Sequence, residues 1–222
     1  MYRLGLMFFL VIMLSCFMAC SCSNKCDEAK DGVAECDTSS FDYYWYQGER
    51  IFLKRKKSKE FVLFYAENES DIARVARMTG NKDYKSTKFV LTHVTPLSKT
   101  NAEKKEQRWC ILRNASAQIK QLEKESKIIY RGPFYEDGDD GIGLSHLFFV
   151  KLKTQEDRDV LYDMASKYGV EVMGYNMLMS QWYTLSCDLN SAGNSLQMAN
   201  AFYESGLFES AEPDFIGAFK LI

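Results

Sequence analysis

Between Gly143 and Phe215 the chain reads as strand, helix, strand, strand, helix, strand, an order that few folds accommodate. Gly143–Val150 is a β-rich run of Leu, Phe and Val. Apolar residues then recur at helical spacing from Thr154 to Tyr168. Val160, Leu161, Met164, Ala165 and Tyr168 share one stripe, Thr154 and Asp157 fit a capping box at its start, and Gly169 supplies the stop. Val170–Tyr175 and Leu178–Cys187 read as two strands around a short turn. A second helix is expected over Asn190–Ser205, with Leu196, Ala199, Phe202 and Tyr203 inward and Gly206 behind it. Leu207–Phe215 closes the set as a strand. Two helices crossing one face of a four-stranded antiparallel sheet would bury both stripes. That arrangement is the ferredoxin-like βαββαβ unit.

The preceding segment repeats the order more faintly. Two β-rich runs flank Gln47-Gly48 within Tyr43–Leu53, which predicts a hairpin. Lys54–Lys57 follows as a charge run, read as a solvated turn, with a membrane-surface role as the minor alternative. Strands are expected at Phe61–Ala66, Phe89–Val94, Trp109–Arg113 and Ile128–Tyr135. Helices are expected at Ser70–Thr79, with Ile72, Val75 and Ala76 on one face, and at Ser116–Ser126, with Ile119 and Leu122 inward. The two halves end alike: Glu125-Ser126 precedes Pro133 as Glu204-Ser205 precedes Pro213. Proline has no amide proton and suits a strand end or edge. The expectation is therefore an α+β chain of two tandem ferredoxin-like units with antiparallel sheets, preceded by a β-hairpin. The segments are a signal region over 1–20, a flexible tether over 21–40, a first unit with its hairpin over 41–136, and a second unit with a C-terminal tail over 137–222. Glu136–Gly141 is a turn-forming linker whose spacing does not match an EF-hand.

The chain has 222 residues, is 26% charged and carries a formal charge of -2, which gives no argument for nucleic-acid binding. Arg3 followed by the apolar run Leu4–Met18 is short for a membrane span and fits a secretory signal. Three cysteines end that region. Cys20 leaves the fullest apolar run and is the favoured acylation site of a lipoprotein, with Cys16 and Cys22 as alternatives. Two acyl chains with a third on the amine would anchor the chain firmly, where a single chain is marginal. Such a protein belongs in the cell envelope of a Gram-negative bacterium, lipid-anchored in the outer membrane or secreted. Cys26 and Cys36 sit in the tether and could pair outside the cytoplasm. Cys110 and Cys187 fall in expected strands and read as small buried hydrophobes. No metal site is expected, because His93 and His146 lie far apart without Cys-x-x-Cys company. No cofactor is implied.

Three segments carry a family resemblance: Tyr43-Tyr-Trp-Tyr-Gln-Gly-Glu-Arg-Ile51, Gln181-Trp-Tyr-Thr-Leu-Ser186 and Ala201-Phe-Tyr-Glu-Ser-Gly-Leu-Phe-Glu-Ser-Ala-Glu-Pro-Asp-Phe215. They resemble the N-terminal propeptide region of secreted subtilisin-like serine peptidases of Bacteroides-type bacteria, over about Phe41 to Phe215. In that family the region leads into the catalytic domain; this chain departs from the pattern by ending at Ile222. Subtilisin-type chemistry needs Ser, His and Asp in register. No Gly-Thr-Ser-Met-Ala-like turn is present, and Gly193-Asn-Ser195 fails the nucleophile-elbow pattern at Gln197. Ser195 reads as an early helix residue and the two histidines as structural. Trp182, Tyr183, Phe202 and Tyr203 read as core or interface. The chain is thus expected to be non-catalytic.

The resemblance implies a module that binds a subtilisin-like catalytic domain as intramolecular chaperone or inhibitor. Its tail would run through the substrate cleft as an added strand. Here that tail is Pro213, Asp214, Phe215, Ile216, Gly217, Ala218, Phe219, Lys220, Leu221 and Ile222. The alternatives are a truncated remnant of a peptidase and a surface lipoprotein that binds some other protein.

Overall fold

The computed structural model describes residues 41–97, 105–138 and 141–217. The N-terminal hairpin forms where expected. Gln47 and Gly48 both sit at positive φ, 49° and 83°, and fold β1 (Phe41–Tyr46) back on β2 (Glu49–Tyr65). A two-residue turn with both centres in the left-handed region matches the twist of the flanking strands, and glycine adopts it at least cost. β2 runs on through Lys54–Lys57, so this charge run is strand and not a turn. Its cations are met across the sheet: Arg55 bonds Asp42 on β1 at 2.6 Å and Lys54 reaches Glu136 at 3.0 Å.

The remaining elements are α1 (Glu69–Met78), β3 (Thr87–Lys88), β4 (Val94–Pro96), β5 (Gln107–Arg113), α2 (Ser116–Lys124) and β6 (Ile128–Tyr135). After them come β7 (Ile142–Lys151), α3 (Arg158–Tyr168), β8 (Glu171–Asn176), β9 (Trp182–Ser186), α4 (Ser195–Glu204) and β10 (Ser210–Gly217). The fold is α+β on an antiparallel sheet. Its strands run β3-β5-β2-β6-β7-β9-β8-β4, with β1 added on β2 and β10 added on β7. β6 and β7 join through only two register pairs, Phe134↔Gly143 and Tyr135↔Ile142.

Three further expectations are corrected. Phe89–Val94 is not a strand: only Thr87–Lys88 pairs with β5, and the chain then turns through His93 at φ 60° before β4 pairs with β8. The strand expected over Leu178–Cys187 shrinks to Trp182–Ser186, because Asn176 Oδ1 accepts from the amides of Leu178 and Met179 and closes a turn there. The helix expected from Asn190 begins at Ser195. Asn194 caps it, bonding reciprocally with Gln197, while Asp188 and Ser191 hold the residues before it in a turn. The capping box at Thr154 and Asp157 forms as the spacing predicts, over a 3-10 turn that leads into α3.

Side chains of Phe61–Phe64 explain how the layers stack. All four are 0% exposed, so β2 is buried on both faces. Val62 and Phe64 face Ile72, Val75 and Ala76 of α1 and Ile119 and Leu122 of α2. Phe61 and Leu63 point the other way, into a core shared with Phe148, Val150, Leu161, Tyr183, Leu185, Ala199 and Phe202. Each such side chain contributes about 1.5–3 kcal/mol on leaving water. A third cluster of Leu53, Tyr135, Leu144 and Leu196 ties the hairpin to α4. Cys110 and Cys187 are free thiols at 0% exposure, as small hydrophobes should be.

Candidate functional site

The tail residues singled out by the sequence divide into two groups. Pro213, Asp214, Phe215, Ile216 and Gly217 belong to β10, whose register on β7 pairs Pro213 with Phe148, Phe215 with Leu144 and Gly217 with Ile142. Ala218, Phe219, Lys220, Leu221 and Ile222 lie outside the described residues, as do Cys16, Cys20, Cys22, Cys26 and Cys36. A bulge falls between Pro213 and Phe215, where proline contributes no ladder donor. Asp214 occupies the bulge and accepts from Ser145 Oγ at 2.7 Å. Burial raises its carboxyl pKa, and the Ser145 hydroxyl and the Phe215 amide oppose the rise. Phe215 packs its ring edge-on against Tyr44, 5.5 Å away, and Tyr135, 6.2 Å away. The start of the tail is therefore clamped between the hairpin and the sheet.

Ser195 is the first residue of α4 and is wholly buried; its hydroxyl donates to Ser145 O at 2.5 Å and lies 3.3 Å from Tyr130 Oη. His146, on β7, is 2% exposed. Phe61 lies nearly parallel to its ring at 6.5 Å, Phe89 meets it edge-on at 4.6 Å and Tyr130 stands 6.1 Å away. Its Nδ1 has no hydrogen-bond partner. Burial holds the imidazole pKa down at about 3, so the ring is neutral at physiological pH. His93 is exposed on the irregular segment and its carbonyl accepts from Met177 N. The structure brings neither histidine into a hydrogen bond with Ser195.

His146 forms part of the wall of a cleft of about 1060 Å³. One side comes from β2, β5 and β6, with Leu63, Gln107 and Ile129. The other comes from β8 and β9, with Val172, Met173 and Ser186. The segment Lys88–Leu97 runs along it, contributing Phe89, Leu91 and Pro96. The size is that of pockets that hold small ligands or short peptides. Ladder pairing between β4 and β8 covers Asn176, Tyr175 and Gly174 and stops there. Gly174 is required at the join, since a Cβ would stand 2.2 Å from Thr95 O. Beyond it, Val172 pairs with Leu185 of β9, and a bulge falls between Val172 and Gly174.

A second surface forms where β1 crosses α4. Tyr43 Oη and Trp45 Nε1 both donate to the Glu204 carboxylate at 2.9 Å, Trp45 stacks on Tyr203 at 5.1 Å, and Arg50 lies 4.8 Å from both the Tyr43 and Trp45 rings. The bonds from Trp45 and Tyr43 lower the Glu204 pKa. Asn200 donates to Tyr43 O at 2.7 Å. Tyr203 thus has an interface role within the chain, while Tyr183 and Phe202 are core at 1% and 0% exposure. At the opposite hairpin, Met177, Leu178 and Met179 are exposed by 66%, 88% and 53%.

Sequence reasoning placed Pro213–Phe215 and His146 in strands and Cys110 and Cys187 in the interior. It missed the cleft, whose lining is drawn from residues as far apart as Leu63 and Asp188, and the contact of the hairpin with α4, where residues more than 150 positions apart meet. The aromatic density of Tyr43–Tyr46 was the one available signal.

No family model matches the chain, and no curated protein matches it. Among solved structures, the acetolactate synthase small subunit from Thermotoga maritima is similar to it at 9% identity, covering 74% of this chain and 98% of that one, with a TM-score of 0.22. No functional argument follows from a likeness of that degree.

Proposed function

We propose that this chain is a propeptide-type module that packs on a subtilisin-like catalytic domain, and that it is built as two tandem ferredoxin-like units. The strand orders β6-β2-β5-β3 and β10-β7-β9-β8 support the tandem reading. In each, the last strand of a βαββαβ set lies beside the first, and the middle pair lies on the first strand's other side. The first set is the more eroded, with its second strand reduced to Thr87–Lys88.

The observation that carries the functional reading is the position of β10. Among the described residues it pairs with β7 alone, and it holds the chain extended as far as Gly217. The strand itself presents main chain in the extended conformation that a protease cleft accepts by strand addition. Preorganisation of that kind lowers the ordering cost of binding. Acylation at Cys20, or at Cys16 or Cys22, would hold the module at the envelope, and no cofactor enters the reading.

The test is a titration of a Bacteroides-type subtilisin-like catalytic domain with this chain, reading residual peptidase activity. The full chain should inhibit. Deleting residues 218–222 leaves every β10 register pair in place, so the shortened chain should still bind and no longer inhibit. Equal inhibition by both, or none by either, would refute the reading.

A further inference from the structure

The β8–β9 hairpin ends in three apolar residues in succession, Met177, Leu178 and Met179, exposed by 66%, 88% and 53%. Single exposed apolar side chains are ordinary on a protein surface, whereas a run of three at one turn needs a partner. Residues 176–181 carry no charge. The main chain of the turn is bonded within the protein. Asn176 Oδ1 accepts from the amides of Leu178 and Met179, His93 O accepts from Met177 N, and Met179 O accepts from Trp182 N. Amides paired in this way can leave water without being orphaned. Just behind the tip stand Tyr175 and Trp182, both half-buried. These are the side chains that favour a membrane–water boundary.

We infer that this tip inserts into the phospholipid bilayer that holds the chain and seats the folded body on the membrane. The inference rests on the envelope anchoring in the proposed function, through Cys20, Cys16 or Cys22. Area and reach favour a bilayer over a protein as the occupant. The three side chains offer at most a few hundred Å² between them, against about 800 Å² per partner in a stable protein complex. Positions 21–40 span at most about 70 Å, and a body of this size has a radius of gyration of about 16 Å. An anchored chain can therefore bring the tip to the surface. Tethering presents the bilayer at a high effective concentration, where a small apolar area suffices. The uncharged tip is matched to hydrocarbon and not to the charge of a head group.

The test uses the full chain, produced in a Gram-negative host, extracted in detergent and reconstituted into vesicles of phosphatidylethanolamine with a minor share of phosphatidylglycerol. Leu178→Trp adds an indole at the tip, beside the native Trp45, Trp109 and Trp182. Lipids brominated along their acyl chains quench an indole that enters the hydrocarbon. The extra emission of Leu178→Trp over the parent should shift to the blue and be largely lost in brominated vesicles. Adding Met177→Asp and Met179→Asp should restore it, because two carboxylates oppose entry while Asn176 still closes the turn. Cosedimentation with the vesicles reports the anchor separately. Cosedimentation without quenching of the added emission overturns the inference and leaves the anchor standing, and failure to cosediment overturns both. Equal quenching in the triple variant traces the signal to the new indole alone and overturns the inference. A blue shift without vesicles that grows with protein concentration places a second copy on the tip and overturns it too.

Discussion

Replacing His146 by leucine should change how the protein responds to acid. The imidazole is 2% exposed among Phe61, Phe89 and Tyr130, and its Nδ1 has no partner. In the unfolded chain it takes up a proton near 6.5, whereas in the fold burial holds its pKa at about 3. The unfolded state therefore binds more protons between about pH 6.5 and 3, and stability falls as pH falls through that range. The loss begins near 6.5 and continues to about 3. At about pH 5 it spans some 1.5 units, and at about 1.4 kcal/mol per unit it amounts to about 2 kcal/mol. Urea denaturation of both proteins at about pH 7.5 and about pH 5 measures it. Carboxylates contribute equally to both proteins, so the difference between the two pH effects isolates the histidine. The native protein should lose about 2 kcal/mol more than His146→Leu over this interval. If the leucine variant loses as much, the buried imidazole is not the source and the argument fails.

Phe202→Ala should cost about 3–5 kcal/mol in chemical denaturation. The side chain is 0% exposed and contacts the rings of Phe148, Phe208 and Tyr168; a cost below about 1.5 kcal/mol would contradict that packing. Gly174→Ala should detach β4, since its Cβ would stand 2.2 Å from Thr95 O. Faster hydrogen exchange at Val94 and Thr95, with the β7–β9 ladder still protected, is the expected pattern. Burial pushes the Cys187 thiol up to about 12 and raises that of Cys110 as well. A thiol reagent should label either cysteine only on unfolding, and rapid labelling of the native protein would show that one of them is accessible.

Local signals were legible wherever one face of one element set the pattern. Ile128–Tyr135 reads as a strand from its apolar and aromatic content, and the structure gives β6 the same bounds. The α3 stripe and its Thr154–Asp157 cap were equally plain. Lys54–Lys57 failed for a definite reason. A charge run reports exposure, and it cannot tell a turn from a strand whose cations meet Asp42 and Glu136 across the sheet. Phe89–Val94 has the composition of a strand, yet Phe89 is drawn against the His146 ring and His93 takes a left-handed φ of 60°. Both depend on partners far away in sequence. The part of the tail from Pro213 to Gly217 was legible as an extended segment. That Asp214 would sit in a bulge on Ser145 was not, because bulge position is set by the β7 register.

The pairing of β4 with β8 also governs how the molecule can be divided. Val94–Pro96 precedes β5, α2 and β6 in the chain, yet it supplies the outermost strand beside Gly174 and Tyr175. The β1 aromatics likewise cover the α4 residues Tyr203 and Glu204. A polypeptide starting at Ile142 would forfeit both, baring an aromatic-lined helix and a raw sheet margin. Separating the segment from Ile142 onward, by recombination or by engineering, is accordingly obstructed: its sheet margin and its last helix are both finished by strands that come earlier in the chain.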